Sequence, residues 1–486
     1  MSKAKDIFML HFALHNNVYI KQGNNIMNIK NTTENEIKEI LAQQRRFFAS
    51  NATLDRSFRK EQLKKLQTAL KKWEKPLCDA LWNDLHKSPQ EAIMTELSIV
   101  TGEIRNHLAH LRRWMRSHSA CTPLKMMPSR CRVVSEPLGN ALIISPWNYP
   151  VQLLFNPLVG AISAGCTAIL KPSPYVPNVS SVIEEIITAT FDKEYIAVVQ
   201  GNREVNSALL DERFDIIFFT GSPALGRKVM AAAAKNLTPV VLELGGKSPC
   251  IVDADADIEI AARRIAWGKT LNAGQTCIAP DYLLIHRSRQ EDFIKAFAKA
   301  LERLHGKNIK ESRHFVRLVS DRAFERVAGY LKDGRIALGG ATDAKERYIE
   351  PTLLADVDTN APVMQEEIFG PVLPMIPFDD TDEAVKFVRE REKPLALYYF
   401  GKVSTGKEVI RTTSAGGSCI NDTIMHIANE NIPFGGVGNS GMGSYHGKLS
   451  YDAFSHRRSV VTTPTWLDLP FRYMPYKMFG LVKKLL

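Results

Sequence analysis

Ala141-Leu-Ile-Ile-Ser-Pro-Trp-Asn-Tyr-Pro150 opens the stretch whose reading decides the fold. Ala141–Ile144 is a continuous apolar run, the mark of a parallel strand buried on both faces. Leu154–Gly165 then reads as a helix and Thr167-Ala-Ile-Leu170 as the next strand. The alternation continues through a helix at Val182–Thr190, a strand at Ala197–Val199 and a helix at Val205–Leu210. A strand at Asp215–Phe219 and a helix at Gly226–Ala234 follow. Repeated strand–helix alternation predicts an α/β protein with a doubly wound parallel sheet.

Upstream of this stretch the pattern is helical. Thr33 or Asn35 is placed to cap a helix carrying Ile37, Ile40 and Leu41. A second helix over Arg56–Trp73 lines up Leu63, Leu66 and Leu70, and a third carries Leu77, Leu81 and Leu85. Spacings of three and four put each set on one core-facing side. Residues 1–28 read as an N-terminal extension, or as an upstream start with Met27 the true one, because Ile7–Leu10 is short and no small-residue cleavage site follows. Beyond Pro128, Cys131–Ser135 alternates like a strand.

Downstream a second α/β region is expected. It has helices at Ile258–Trp267, Gln290–Leu304, Asp321–Leu331 and Thr381–Glu390, and strands at Tyr282–Ile285 and Ala396–Phe400. A Gly-rich segment (Gly435–Gly447), a strand at Ser459–Thr463 and a basic-apolar tail (Phe471–Leu486) close the chain. The expected partition is 29–129 with 140–243 for one domain, 244–454 for a second, and 130–139 with 455–470 for a small bridging element.

The 486 residues are 45% apolar and 24% charged, enough for two or three domains at roughly 100–200 residues each. No run of 18 apolar residues occurs, so no membrane-spanning helix is expected. The net charge is 63 − 52 = +11, but the basic residues are scattered, without zinc-finger spacing or aromatic interleaving, which argues against a nucleic-acid partner. Seven widely spaced cysteines, with no C-x-x-C, fit a reducing and hence cytoplasmic compartment.

Four segments carry candidate chemistry. Cys277 lies in Asn272-Ala-Gly-Gln-Thr-Cys-Ile-Ala-Pro280, read as a loop entering a helix, where backbone N–H groups lower a thiol pKa. A buried structural cysteine is the alternative. Glu243, in Leu242-Glu-Leu-Gly-Gly-Lys-Ser-Pro249, follows an apolar run; burial there raises a carboxyl toward neutrality, suiting a general base, and a surface turn is the alternative. Asn148 follows a buried-type strand, at the sheet end where ligands bind, and offers an amide N–H₂ to an oxyanion; a rigid turn is the alternative.

Phe218-Phe-Thr-Gly-Ser-Pro-Ala-Leu-Gly226 runs from strand through Gly-bracketed turn into helix, a place for a phosphate. Gly436-Val-Gly438-Asn-Ser-Gly441 matches G-x-G-x-x-G without the strand before and helix after, so it reads as a packed loop. No metal-site motif occurs, and His110, His426 and His446 read as structural.

Taken together, residues 33–475 resemble the aldehyde dehydrogenase superfamily, more closely its class 3 (fatty and aromatic aldehyde) branch. The anchors are Pro146-Trp-Asn-Tyr-Pro150, Lys171-Pro-Ser173, Phe219-Thr-Gly-Ser222, Leu242-Glu-Leu-Gly-Gly-Lys247, Gly274-Gln-Thr-Cys277, Glu366-Glu-Ile-Phe-Gly-Pro371 and Pro433-Phe-Gly-Gly436. Cys277-Ile-Ala-Pro-Asp-Tyr282 and Gly438-Asn-Ser-Gly-Met-Gly-Ser-Tyr-His-Gly447 give the class 3 character.

The resemblance implies a homodimer that oxidises medium- or long-chain aliphatic or aromatic aldehydes to acids with NAD or NADP. It implies a Rossmann-like cofactor domain, a catalytic domain and bridging strands. Cys277 is then the nucleophile, Glu243 the water-activating base, and Asn148 with the Cys277 N–H the oxyanion hole. Trp147, Lys171, Gly221, Ser222, Gly226, Glu367 and Phe369 are the cofactor contacts.

One departure stands out. Pro174 replaces the Glu that many relatives carry after Lys-Pro-Ser, which relaxes exclusion of a 2′-phosphate. The tail offers a weak peripheral contact with an anionic membrane surface. The rival readings are a coenzyme A-acylating dehydrogenase, against which Glu243 argues, and a non-catalytic protein retaining the fold.

Overall fold

A computed structural model describes residues 17–22, 25–468, 472–476 and 479–483. The apolar runs form strands as expected: all five residues of Asn140–Ile144 and of Thr167–Lys171 are buried. They lie inside a six-stranded sheet ordered Gly441–Met442, Val240–Leu244, Ile216–Gly221, Asn140–Ile144, Thr167–Lys171, Ile196–Val198. Its strands are parallel except the two-residue Gly441–Met442 edge, which pairs antiparallel with Leu242 and Glu243.

Side chains alternate across this sheet. Ile217, Phe219, Leu242 and Leu244 face a core built with Ile37, Ile40, Leu41, Val205 and Val229. Phe218 and Val241 face the larger core with the helices Ser98–Trp114 and Gln152–Ala164. Thr220 sits directly opposite Glu243, and alternation puts both on the Phe218 side. On the other side the helix Glu34–Ala49 is fixed by a capping box in which Thr33 and Glu36 exchange bonds.

A seven-stranded sheet follows, ordered Arg335–Leu338, Thr352–Ala355, Val372–Phe378, Tyr282–His286, Pro249–Val252, Ala396–Phe400, Gly417–Ile420. It is parallel apart from its Arg335–Leu338 edge. A three-stranded antiparallel sheet joins Ser455–Thr462, Arg130–Pro137 and His118–Ala120, with Ser455 opposite Pro137 and Thr462 opposite Arg130.

Three features differ from the sequence reading. Asn17–Gln22 and Asn25–Lys30 pair as a hairpin inside the segment read as an extension; residues 1–16 lie outside the described residues. Ser98–Trp114 is a long helix entered through a π-helical turn at Ile93–Leu97. Val372–Phe378 is a strand although it carries Pro374 and Pro377, residues that ordinarily speak against one. Parts of the tail, including 469–471, 477–478 and 484–486, lie outside the described residues; Phe479–Val482 is one helical turn.

Candidate active site

Glu243 is the penultimate residue of the Val240–Leu244 strand, at the C-terminal end of the six-stranded sheet. Its side chain is 3% exposed and neither carboxyl oxygen has a hydrogen-bond partner. Burial alone holds its pKa well above the carboxylate range.

Asn148 lies in the turn beyond Asn140–Ile144 and is held from both sides. Its Nδ2 donates to the Gln275 carbonyl at 3.0 Å. Its own carbonyl accepts from Lys87 Nζ and from Asn272 Nδ2, each at 3.0 Å. Lys87 is fully buried, paired with Glu96 Oε1 at 2.6 Å, and its ammonium sits 4.3 Å from the Tyr149 ring centre. Glu96 Oε2 accepts the Val151 N–H at 2.8 Å. Glu91 accepts the Asn272 N–H at 2.9 Å, and burial, opposed by Lys87, lifts its pKa to about 7. Gln275 completes the frame by donating to the carbonyls of Asn272 and Arg317 and accepting the Val319 N–H.

The chain reaches Cys277 through three successive left-handed residues, Asn272 (φ 50°), Ala273 (φ 53°) and Gly274 (φ 74°). A Cβ at position 274 would stand 2.3 Å from the Gly370 carbonyl oxygen, so only glycine fits. Cys277 itself sits in a turn closed by Ala279 N–H to Thr276 O at 2.9 Å. The expected helix after Cys277 does not form. Pro280 removes a donor and disfavours helical geometry at Ala279, and the strand Tyr282–His286 follows.

The thiol is half-buried. The N–H groups of Cys277 and Ile278 favour its charged form as expected, but burial, Glu367 and Glu243 outweigh them and push the pKa well up.

On the facing loop, Glu367 packs where a side chain at Gly245 would collide with it: a Cβ there would lie 1.8 Å from Glu367 Oε2. Burial and Asp281 raise its carboxyl pKa, with Lys247 opposing. Arg326 holds this loop through the carbonyls of Glu367 and Ile368, at 3.1 and 2.8 Å. Asp281 accepts the Ile368 N–H and pairs with Lys247. Phe369, in a left-handed conformation (φ 49°), meets Trp147 edge-to-face with ring centres 5.3 Å apart. Lys269, buried nearby, has no partner for its ammonium, and burial lowers its pKa to about 8.

The same edge of the sheet suits a dinucleotide. Ser222 caps the twelve-residue helix Pro223–Ala234, accepting the Leu225 N–H, and such a helix start favours phosphate. Gly226 lets that helix approach the sheet, since a Cβ there would meet Leu244 Cδ2 at 2.6 Å. Gly221, across from Leu244, ends the preceding strand. Lys171 ends its own strand fully buried, with Nζ donating to the Pro172 carbonyl at 2.9 Å, and burial lowers its pKa to about 7. A buried ammonium has three donors to satisfy, and the Pro172 carbonyl takes one of them.

The structure thus brings Glu243, Glu367 and Cys277 within electrostatic reach, with Asn148 joined to them through Gln275. Trp147 and Phe369 form one wall, and Lys171, Gly221, Ser222 and Gly226 line the sheet edge. Sequence reasoning missed Lys87, Glu91, Glu96, Asn272, Arg326 and the Lys247–Asp281 pair. Gln275, Asn272, Lys247 and Asp281 stood inside quoted motifs without a role of their own; Lys87, Glu91, Glu96 and Arg326 sit outside any of them.

Residues 15–460 match the family model described as "Aldehyde dehydrogenase family". The chain is 46% identical over 446 residues to a 4,4'-diaponeurosporen-aldehyde dehydrogenase of Staphylococcus aureus, covering 91% of this chain and 97% of the relative. It is 45% identical to a dimeric NADP-preferring aldehyde dehydrogenase of Canis lupus familiaris, over 90% of this chain and 98% of the relative. Its fold matches a solved substrate-bound state of Staphylococcus aureus AldH with a TM-score of 0.91 and 46% identity, covering 92% of this chain and 99% of the other.

Proposed function

The chain belongs to the aldehyde dehydrogenase family and oxidises aldehydes to carboxylic acids with NAD or NADP; from that premise we propose how its residues divide the work. Cys277 is the nucleophile. Its proton passes to solvent water, and the thiolate forms a C–S bond to the aldehyde carbon as the carbonyl π pair moves onto oxygen. The carbonyl oxygen becomes an oxyanion, which the Cys277 N–H and Asn148 Nδ2 stabilise. One Nδ2 hydrogen is engaged with Gln275, and the second is the donor that meets the oxyanion. A bound nicotinamide supplies the hydride acceptor.

Cys277 then carries the acyl group as a thioester. Glu243 takes a proton from water as the new C–O bond forms, the C–S bond breaks, and the electron pair returns to sulfur. The observation that carries this reading is a half-buried thiol within electrostatic reach of a buried carboxyl that makes no hydrogen bond. A base kept free for water also argues against transfer to coenzyme A.

Lys171 and Glu367 hold the ribose hydroxyls, and the helix start at Ser222 holds the diphosphate. With Pro174 where a ribose-binding carboxylate commonly stands, NADP⁺ is accepted at least as readily as NAD⁺. The expected substrates are medium- or long-chain aliphatic or aromatic aldehydes. A homodimer is supported by the free outer edge of the exposed Ser455–Thr462 strand and by a relative named as dimeric. A cytoplasmic location accords with the free cysteines among the described residues. Exposed Met474, Tyr476 and Phe479 support weak contact of the tail with an anionic membrane surface, to be checked by vesicle flotation.

The test is turnover of hexanal and benzaldehyde with NAD⁺ and NADP⁺ at matched concentrations. Equimolar reduced cofactor and acid without added coenzyme A are expected. Turnover only with coenzyme A, giving acyl-coenzyme A in place of acid, or strict NAD⁺ dependence, would overturn the corresponding part of the reading.

A further inference from the structure

We propose that the Tyr445 phenol is a positioning residue for deacylation: it donates a hydrogen bond to the ionised Glu243 carboxylate and aims it at the Cys277 thioester. The inference rests on the roles given above to Glu243 and Cys277 and adds a group that none of the motif readings used.

The backbone puts Tyr445 beside Glu243. Gly441 pairs directly with Glu243 and Met442 with Leu242, so the chain that carries Tyr445 three residues later has just left the catalytic strand. Reciprocal bonds between the main chains of Phe434 and Tyr445, at 3.2 and 2.9 Å, lock that return. The ring is fully buried and fixed on three sides, with ring centres 5.1 Å from Phe218, 5.7 Å from Phe434 and 4.4 Å from His446. Phe218 lies on the same face of the sheet as Glu243, two residues before the Thr220 that stands opposite it.

The hydroxyl at the end of this clamped ring has no partner. Tyr195, among Phe47, Phe58 and Phe191, is likewise unpartnered; three other buried tyrosines differ. Tyr149 bonds to Thr276, Tyr398 donates to the Ile278 carbonyl at 2.6 Å, and Tyr399 donates to Asp253 at 2.7 Å. An unsatisfied buried hydroxyl is costly. Two groups within its reach are equally unsatisfied, His446 Nε2 and the Glu243 carboxyl, and of these only Glu243 takes a negative charge for the phenol to stabilise; Cys277 is in reach too.

The other titratable neighbours are already engaged or neutral. Glu103, on Ser98–Trp114, is occupied by the Gly447 N–H, Ser450 and His107. His446 is held neutral by burial. Glu367 faces the thiol. A donor to the charged carboxylate favours that form and offsets its burial, which is what a base needs near neutral pH. The phenol keeps its proton throughout; the proton that moves passes from water to Glu243 as the C–O bond forms and the C–S bond breaks.

The experiment is Tyr445→Phe, which removes one oxygen and keeps the ring. The expected result is a kcat lower by roughly 10- to 100-fold with KM for aldehyde little changed. The single-turnover burst of reduced cofactor is retained, because acylation precedes the Glu243 step. The acid limb of the kcat–pH profile moves to higher pH, since loss of a donor to the charged form raises the pKa of the base. Burst amplitude counts folded sites, so partial unfolding is corrected for.

Phe434→Leu, which loosens the ring without removing the hydroxyl, is expected to lower Tm and leave the acid limb in place. A Tyr445→Phe enzyme with the parent kcat and pH profile overturns the inference, as does equal loss of burst rate and kcat. Glu243→Gln separates this failure from that of the underlying reading. If Glu243→Gln deacylates normally, the role of Glu243 falls; if it stalls while Tyr445→Phe is unaffected, only the role of Tyr445 falls.

Discussion

Two neighbourhoods meet at Cys277, and they bond their buried charged groups to different extents. Around Asn148 most polar heads are bonded, although Asn148 Oδ1 and Asn272 Oδ1 are not: Lys87 to Glu96 and the Asn148 carbonyl, Gln275 to three backbone groups, and Glu91 to the Asn272 N–H. Around Glu243 they are not: both its oxygens, the Tyr445 hydroxyl and the Lys269 ammonium are buried without partners. The bonded side fixes geometry, as an oxyanion donor needs. The unbonded side gives up stability to keep a base and its surroundings free for water and acyl group, a trade expected at catalytic sites.

This contrast breaks first at Glu243. Glu243→Gln should lower steady-state turnover by roughly 10²- to 10⁴-fold while the burst of reduced cofactor survives. Its effect on stability has a defined sign. The native pKa is raised, so the parent protein loses stability as pH rises through that value. The variant should escape this loss and be the more stable of the two in alkaline solution, as urea titration across pH would show. A variant less stable at every pH would mean that the neutral Glu243 carboxyl is bonded as well.

On the bonded side the expectation reverses. Lys87→Met leaves Glu96 buried without its cation and should cost about 3–5 kcal/mol of stability by chemical denaturation. Turnover should fall with it, because the Asn148 carbonyl loses a donor. Asn148→Ala should lower kcat about 10²- to 10³-fold, and here the burst itself should slow, unlike in Glu243→Gln. Stopped-flow absorbance of the reduced cofactor distinguishes the two.

The smallest effect is expected at the sheet edge. Burial sets Lys171 near pH 7, so the ammonium is lost as pH rises through that value and cofactor binding should weaken. Lys171→Ala should bind roughly tenfold less tightly, by about one charge-assisted hydrogen bond, and lose that pH dependence in calorimetric titrations.

The sequence made the six-stranded sheet readable because its central strands are continuous apolar runs with helices between them. Glu243 was readable because it ends such a run, and Cys277 because its flanking motif is distinctive. Lys87 was not: its partner Glu96 lies across a helix break, and their joint service to Asn148 exists only once the chain has closed. Ala273 gives no hint of its left-handed backbone, which neighbouring contacts impose. Tyr445 read as part of a packed Gly-rich loop; only the register of Gly441 against Glu243 brings it to the base. The Val372–Phe378 strand was hidden by its two prolines. What stayed illegible depends on long-range register, not on local pattern.

The central claim is that a single sulfur carries the acyl group while Glu243 waits to release it. Mixing Glu243→Gln protein with hexanal and oxidised cofactor, quenching in acid and mapping peptides by mass spectrometry tests this directly. The account predicts one hexanoyl group per active chain, attached at Cys277 and absent from Cys277→Ser. An unmodified Cys277 after a full burst of reduced cofactor, or the acyl group on another residue, would contradict it.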